Sequence, residues 1–197
     1  MISPSEKKVR LQFIHWLKPV VFLEIFYNKF NKTSGKKENN ILVAYFSHSG
    51  NTRVIANQIH ESVGSDIIEI QSENIYPDNY NAVVKQAKQE LDSDYKPKLK
   101  SKLKNINSYN IIFIGYPTWW YTIPMPVVTF LSEYDFSKKT IVPFCTHEGS
   151  GFAQGIKEIK KLCPQSTILN GLAVRGSNVK KAKNEVSEWL RELEMIE

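Results

Sequence analysis

The 197-residue sequence holds only two cysteines, Cys145 and Cys163, with no CxxC pair and no His/Cys cluster at zinc spacing. Neither a disulfide framework nor a structural metal is indicated, and a reducing, cytoplasmic compartment is expected. GxxxxGK[ST] is absent, which removes the lysine-bearing triphosphate loop, and no GxGxxG marks a dinucleotide turn. Long apolar runs are also missing. Between Leu11 and Phe30 the large apolar residues are interrupted by Lys18-Pro19 and Glu24, so nothing reaches the ~18 clean residues of a simple membrane span. The uninterrupted stretch 20–23 is too short for a secretory signal, and no small-residue cleavage pattern follows it.

Charge is present but unevenly placed. Residues 1–39 carry eight Lys/Arg against three acidic residues, a net of +5 within the formal total of +6. The other 158 residues are close to neutral at +1, without the footprint of a polyanion partner, so no nucleic acid is expected. Within the basic arm, Pro19 can open a helix whose apolar residues fall on nearly every side. Such a helix needs the body, another copy of the chain, or an anionic membrane surface, where Lys29, Lys32, Lys36 and Lys37 would meet headgroups. Residues 34–40 read as a polar linker. The expected organisation is a helical arm and linker over 1–39 and one folded domain over 40–197, with self-association or peripheral contact at the inner membrane face through 11–30.

From residue 41 onward, strand and helix patterns alternate, which predicts an α/β fold with a parallel sheet covered on both faces. Strands are expected at 41–46, 66–70, 111–115, 140–145 and 167–174, and helices at 53–63, 80–91, 127–134, 152–162 and 179–194. Pro143 fits poorly inside a buried strand, because it removes a ladder donor. In such a sheet, ligands lie at the carboxyl ends of the strands, and three unusual loops fall there.

The first loop is Ser47-His48-Ser49-Gly50-Asn51-Thr52. Gly50 permits close backbone approach, the hydroxyls of Ser47, Ser49 and Thr52 can donate, and the next helix presents its positive end. This suits a monophosphate held without lysine; the competing reading is an ordinary capped helix start. His48 is read as a loop residue rather than a general base. The second loop places Trp119, Trp120 and Tyr121 together between Pro117-Thr118 and Pro124. Core packing would spread such residues at period two or 3.6, so either a flat conjugated ring stacks here or one indole wedges under the loop. The third loop, Thr146-His147-Glu148-Gly149-Ser150-Gly151, can bond the polar edge of a heterocycle. Cys145 before it is read as buried core, since the arginine of a phosphatase Cys-loop is lacking.

Strand-SHSGNT-helix, YPTWWYTIP and PFCTHEGSG, in that order, resemble the flavodoxin-like proteins, in particular flavodoxins whose aromatic loop has a P-x-W-W core. The resemblance covers about residues 40 to 197. It implies a three-layer flavodoxin-like fold, with a five-stranded parallel sheet of order 2-1-3-4-5 and FMN bound noncovalently at the switch point. Position by position, Ser47, Ser49, Gly50, Asn51 and Thr52 match the phosphate loop. Pro117, Thr118, Trp119 and Trp120 match the loop beside the isoalloxazine, and Thr146, His147, Glu148 and Gly149 the second ring loop. His48 stands where such proteins often have Thr, and His147-Glu148 depart from the small residues expected there. The implied function is electron transfer through FMN, exchanged with a redox protein or a small-molecule donor or acceptor. An FMN-dependent NAD(P)H or quinone oxidoreductase and a membrane-tethered module without redox use are the alternatives. The near-neutral body departs from the strong acidity usual in electron-carrying flavodoxins.

Overall fold

A computed structural model describes residues 40–100 and 102–197; the expected arm helix and linker, and any contact made by 11–30, lie outside the described residues. The elements in chain order are β1 (Ile41–Tyr45), α1 (Asn51–Val63), β2 (Asp66–Glu69), α2 (Tyr80–Asp92), β3 (Ile111–Pro117), α3 (Met125–Glu133), β4 (Thr140–His147), α4 (Gly155–Leu162), β5 (Thr167–Ile168), β6 (Leu172–Arg175) and α5 (Lys183–Glu192). The strands are parallel in the order β2-β1-β3-β4-β5, and β6 also pairs with β4. The chain moves from β1 outward to β2, then crosses back to β3, which puts the switch point between the carboxyl ends of β1 and β3.

The near-continuous apolar runs of β1 and β3 follow from burial on both faces. Successive side chains alternate, so Leu42, Ala44, Ile112 and Ile114 meet Val83 of α2, Val127, Phe130 and Leu131 of α3 and Ile159 of α4. Val43, Tyr45, Phe113, Val142 and Phe144 meet Ile55, Ala56 and Ile59 of α1 and Val186, Trp189 and Leu190 of α5. Two layers of helix thus cover one sheet.

Three expected elements change shape. The strand expected over 167–174 is two short strands separated by Leu169-Asn170-Gly171. Thr140 N–H bonds to Asn110 O on the β3 side and Ile141 O accepts from Leu169 N–H on the other, so alternation points the Pro143 nitrogen toward β5 and β6. The missing donor therefore faces the break, and Pro143 is accommodated inside β4. At Gly171 a Cβ would lie 2.5 Å from the Pro143 carbonyl oxygen, while Trp189 Nε1 donates to the Asn170 carbonyl at 3.1 Å. The expected closing helix begins as a 3-10 helix over Gly176–Lys181. Gly176, Val179 and Ala182 are buried at three-residue spacing, the repeat of that tighter helix. Finally, α4 starts at Gly155 instead of 152, because Gly151 and Ala153 turn through left-handed φ values of 58° and 46°.

Candidate functional site at the carboxyl ends of the sheet

The loops after β1, β3 and β4 meet over the switch point around a cleft of about 790 Å³. They are tied to one another by a set of hydrogen bonds. Thr118 N–H donates to Thr146 O at 2.9 Å, and Gln154 N–H to Tyr121 O at 2.9 Å. Thr118 Oγ1 donates to Gly151 O at 2.7 Å, and the hydroxyls of Thr52 and Thr146 lie 2.8 Å apart.

In the first loop Gly50 has φ 89°, a left-handed conformation that suits glycine, and it precedes α1 without offering a side-chain cap. The first-turn amides of α1 precede the helix's own bonding and leave positive potential at this end. Ser49, Asn51 and His48 line the cleft. Ser47, Gly50 and Thr52 do not. Ser47 Oγ accepts Arg53 N–H at 3.3 Å, and Thr52 is buried with its hydroxyl on Thr146. His48 Nε2 donates to Pro77 O at 3.0 Å, and its ring meets Trp119 edge-on at 5.9 Å. The adjacent cation is occupied elsewhere, since Arg53 Nη2 donates to Glu69 Oε1 at 2.6 Å.

The aromatic loop contains a tight turn. Trp119 and Thr122 exchange both backbone bonds, at 3.1 and 2.9 Å. Between them Trp120 and Tyr121 take φ values of 47° and 61°, as a mirror-image hairpin turn requires. Neither residue is Gly or Asn, so the turn carries a steric cost of about 1–2 kcal/mol per residue. Its consequence is to send the two indoles apart. Trp119 packs edge-on against Phe46 and Tyr76, each at 5.3 Å, and still lines the cleft. Trp120 lines the cleft as well; it is 42% exposed, donates Nε1 to Val84 O at 3.0 Å, and its ring centroid lies 5.6 Å from Lys88 Nζ. Pro117 and Thr118 also line the cleft.

In the third loop Thr146, His147, Glu148 and Gly149 all line the cleft. His147 Nδ1 accepts the Gly149 N–H at 2.9 Å. The Glu148 carboxylate lies 3.8 Å from Arg175 Nε, and a Cβ on Gly176 would come within 2.3 Å of Glu148 Oε1 and 2.7 Å of Asn51 Nδ2. Gly176 thus leaves room for a carboxylate and an amide to converge at the cleft wall. Cys145 is buried, and burial pushes its thiol up to about 12, which removes it as a nucleophile at neutral pH. Among the described residues no group of three His, Cys, Asp or Glu is placed to hold a metal ion, and no helix is long and apolar enough to cross a membrane.

Sequence reasoning missed Gly176 and a whole wall of the cleft, Tyr80, Val83, Val84 and Ala87 of α2. The signal for that wall was the adjacent pair Val83-Val84, which widens the apolar stripe of α2 beyond what one core face requires.

The flavodoxin family model matches residues 40–193. Solved structures similar to this chain include two candidate flavoproteins. One, from Bacteroides eggerthii, has 31% identity and TM-score 0.68 over 77% of this chain and 96% of that one. The other, from Bacteroides uniformis, has 30% identity and TM-score 0.70 over 79% and 99%. A flavoprotein from Lactobacillus acidophilus, solved in complex with FMN, shares the fold at 23% identity and TM-score 0.62, over 73% of this chain and 97% of its own. No curated protein matches this chain.

Proposed function

This chain belongs to the flavodoxin family, and we propose that it is a redox protein transferring electrons through noncovalently bound FMN at the cleft over β1, β3 and β4. The observation that carries this reading is the interlocking of the three loops around one cleft, each loop offering what a different part of the cofactor needs. FMN supplies electron-transfer chemistry when bound; the chain supplies binding, orientation and exclusion of water.

The residues present fit that group. A phosphate at the start of α1 would meet the amides of Asn51 and Thr52, the Arg53 amide being bonded to Ser47 Oγ, and the side chains of Ser49 and Asn51, without Lys or Arg in the cleft lining. Thr52, spent on Thr146, would position this loop rather than touch the phosphate. Pro117 and Trp119 give an apolar flank for a flat ring, and the Thr146-to-Gly149 backbone gives polar groups for its edge. Tyr116 lies beneath the loops fully buried, its phenol held protonated by desolvation, so that layer contributes no charge.

A purified preparation should be yellow, and the chromophore released on unfolding should be FMN. A colourless protein that takes up no FMN in titration would overturn the reading. Oxidation of NADH or NADPH in the presence of a quinone then separates an oxidoreductase from a carrier serving a redox protein. The second reading, an oxidoreductase acting on a small molecule, is favoured by one observation: the α2 wall extends the cleft beyond the three loops.

A further inference from the structure

We propose that the row of lysines on the connection between α2 and β3 is a docking surface for the anionic headgroups of a lipid bilayer.

The near-neutral total of residues 40–197 conceals a concentration of charge. Residues 95–104 hold five lysines and no carboxylate, while the rest of that range has 13 basic against 17 acidic residues, a net of −4. A body that is otherwise mildly acidic therefore bears one strongly basic edge.

The fold sets those lysines on one side. Lys96, Lys98, Lys100, Lys102 and Lys104 are all exposed, whereas Pro97 and Leu99 between them are buried and Leu103 is half-buried. Leu99 bridges antiparallel to Ser72 just beyond β2, the outermost strand, with Glu73 N–H donating to Lys98 O at 2.9 Å and Lys100 N–H to Gln71 O at 2.8 Å. Leu99 and Leu103 pack into the core, and Leu103 N–H donates to the Tyr134 hydroxyl at 2.8 Å. Successive side chains on extended backbone point opposite ways, so inward anchors at odd positions send the even ones outward, about 7 Å apart.

Counter-charges leave most of the row open. Lys96 Nζ lies 3.2 Å from Asp94 Oδ2, and Glu73 stands on the segment opposite Lys98. Among the described residues, Lys98, Lys100, Lys102 and Lys104 form no ion pair.

The residues between the lysines select the occupant. A nucleic acid would ask for aromatic rings among the cations, and a protein partner for apolar anchors at the centre of the contact. Here the intervening side chains are turned into the core. A surface of anionic headgroups asks for little besides positive charge, which is worth about fivefold in affinity for each lysine held near it. Tyr95, 49% exposed at the head of the row, adds an amphipathic ring of the kind that sits at headgroup level. Stable attachment takes two signals, and the sequence of residues 1–39, basic and rich in large apolar side chains, has the composition of the other. Lysines on a sheet edge also discourage strand addition; the two roles differ in what their loss changes.

Sedimentation of the full-length protein with vesicles of equimolar phosphatidylglycerol and phosphatidylcholine, and with phosphatidylcholine alone, tests the proposal. Partition onto the anionic vesicles should exceed that onto the neutral ones by roughly tenfold or more, and should weaken as salt is raised. Lys98→Gln with Lys100→Gln and Lys102→Gln should lower it by about fivefold per lysine, on the order of a hundredfold in all. Arginine at the same three positions should preserve it. Lys157→Gln with Lys160→Gln and Lys180→Gln removes equal charge from exposed positions elsewhere, and should lower it by less than about threefold. All three variants should keep the circular dichroism of the parent. Unchanged partition in the first variant overturns the docking surface, as does an equal loss in the third, or indifference of the parent to headgroup charge. A first variant that self-associates while keeping its vesicle binding assigns the lysines to guarding the edge, and a parent that binds single-stranded oligonucleotide but not vesicles assigns them to nucleic acid; either result overturns the proposal.

Discussion

The hydroxyls of Thr52 and Thr146 lie 2.8 Å apart in a buried position, joining the first turn of α1 to the end of β4 across 94 residues of sequence. Removing one partner leaves the other unsatisfied. Thr52→Val should therefore destabilise the protein by about 1–3 kcal/mol, while Thr52→Val with Thr146→Val should recover part of that loss. Chemical denaturation of the single and double variants checks this. Ser49→Ala, by contrast, should leave stability nearly unchanged and weaken FMN by about 1–2 kcal/mol, the loss of one charge-assisted bond.

The two tryptophans should separate in their effects. Trp119 packs on Phe46 and Tyr76, so Trp119→Ala should cost about 3–5 kcal/mol of stability as a core truncation. Trp120→Ala loses a partly exposed ring and one hydrogen bond to Val84 O, so about 1 kcal/mol is expected. Thermal unfolding of both variants, in the presence and absence of FMN, distinguishes packing from ligand contact.

Gly115 stands opposite Phe144 in the β3–β4 register, and a Cβ there would lie 2.1 Å from the Phe144 ring. Gly115→Ala should cost about 3 kcal/mol, because the ring must leave its place in a close-packed layer. Gly115→Ala with Phe144→Leu should be more stable than Gly115→Ala alone. Equal stability of the two would show that the ring moves freely.

Three tyrosines should make the fold sensitive to alkali. Hydrogen bonding to Asp66 raises Tyr109 to about 12. Burial raises Tyr76, whose hydroxyl donates to Glu90 Oε2 at 2.5 Å, and burial also raises Tyr116. Unfolded tyrosines ionise near ~10. The folded state binds these protons more tightly, so the contribution to stability is complete below about pH 10 and falls as pH rises above it. Denaturant midpoints measured through that range should fall, and Tyr109→Phe should lessen the fall.

Every cofactor motif, and the family match beginning at residue 40, lies beyond the basic arm. Deleting residues 1–39 should leave a protein that folds and binds FMN, with altered association toward anionic vesicles or toward itself. FMN titration, vesicle sedimentation and light scattering on the two forms provide the check.

The sheet and the three loops were legible because their signals are local. Apolar runs of strand length end abruptly in polar or aromatic clusters, and parallel topology collects those ends. Thr52 was not legible in the same way. A hydroxyl at a helix start reads alike whether it caps the helix, meets an anion or bonds another loop, and only the packing of β4 beside α1 decides among these. The left-handed pair Trp120-Tyr121 was invisible for a related reason, since its turn is imposed by surrounding contacts without the Gly or Asn that would announce it. Pro143 was recognisable as a misfit, but the resolution of the misfit required the register of β4 against its two neighbours.

The break opposite Pro143 also governs how this molecule meets others of its kind. An open sheet exposes its border to strand addition, and a long flat border invites stacking of chains into aggregates. On the β4 side that border consists of two residues of β5 and four of β6, and the carbonyl between them is already taken by the Trp189 indole. An incoming strand would find no continuous ladder there. The proline that seemed out of place in a buried strand thus faces the one stretch of β4 where no neighbouring strand asks for its donor.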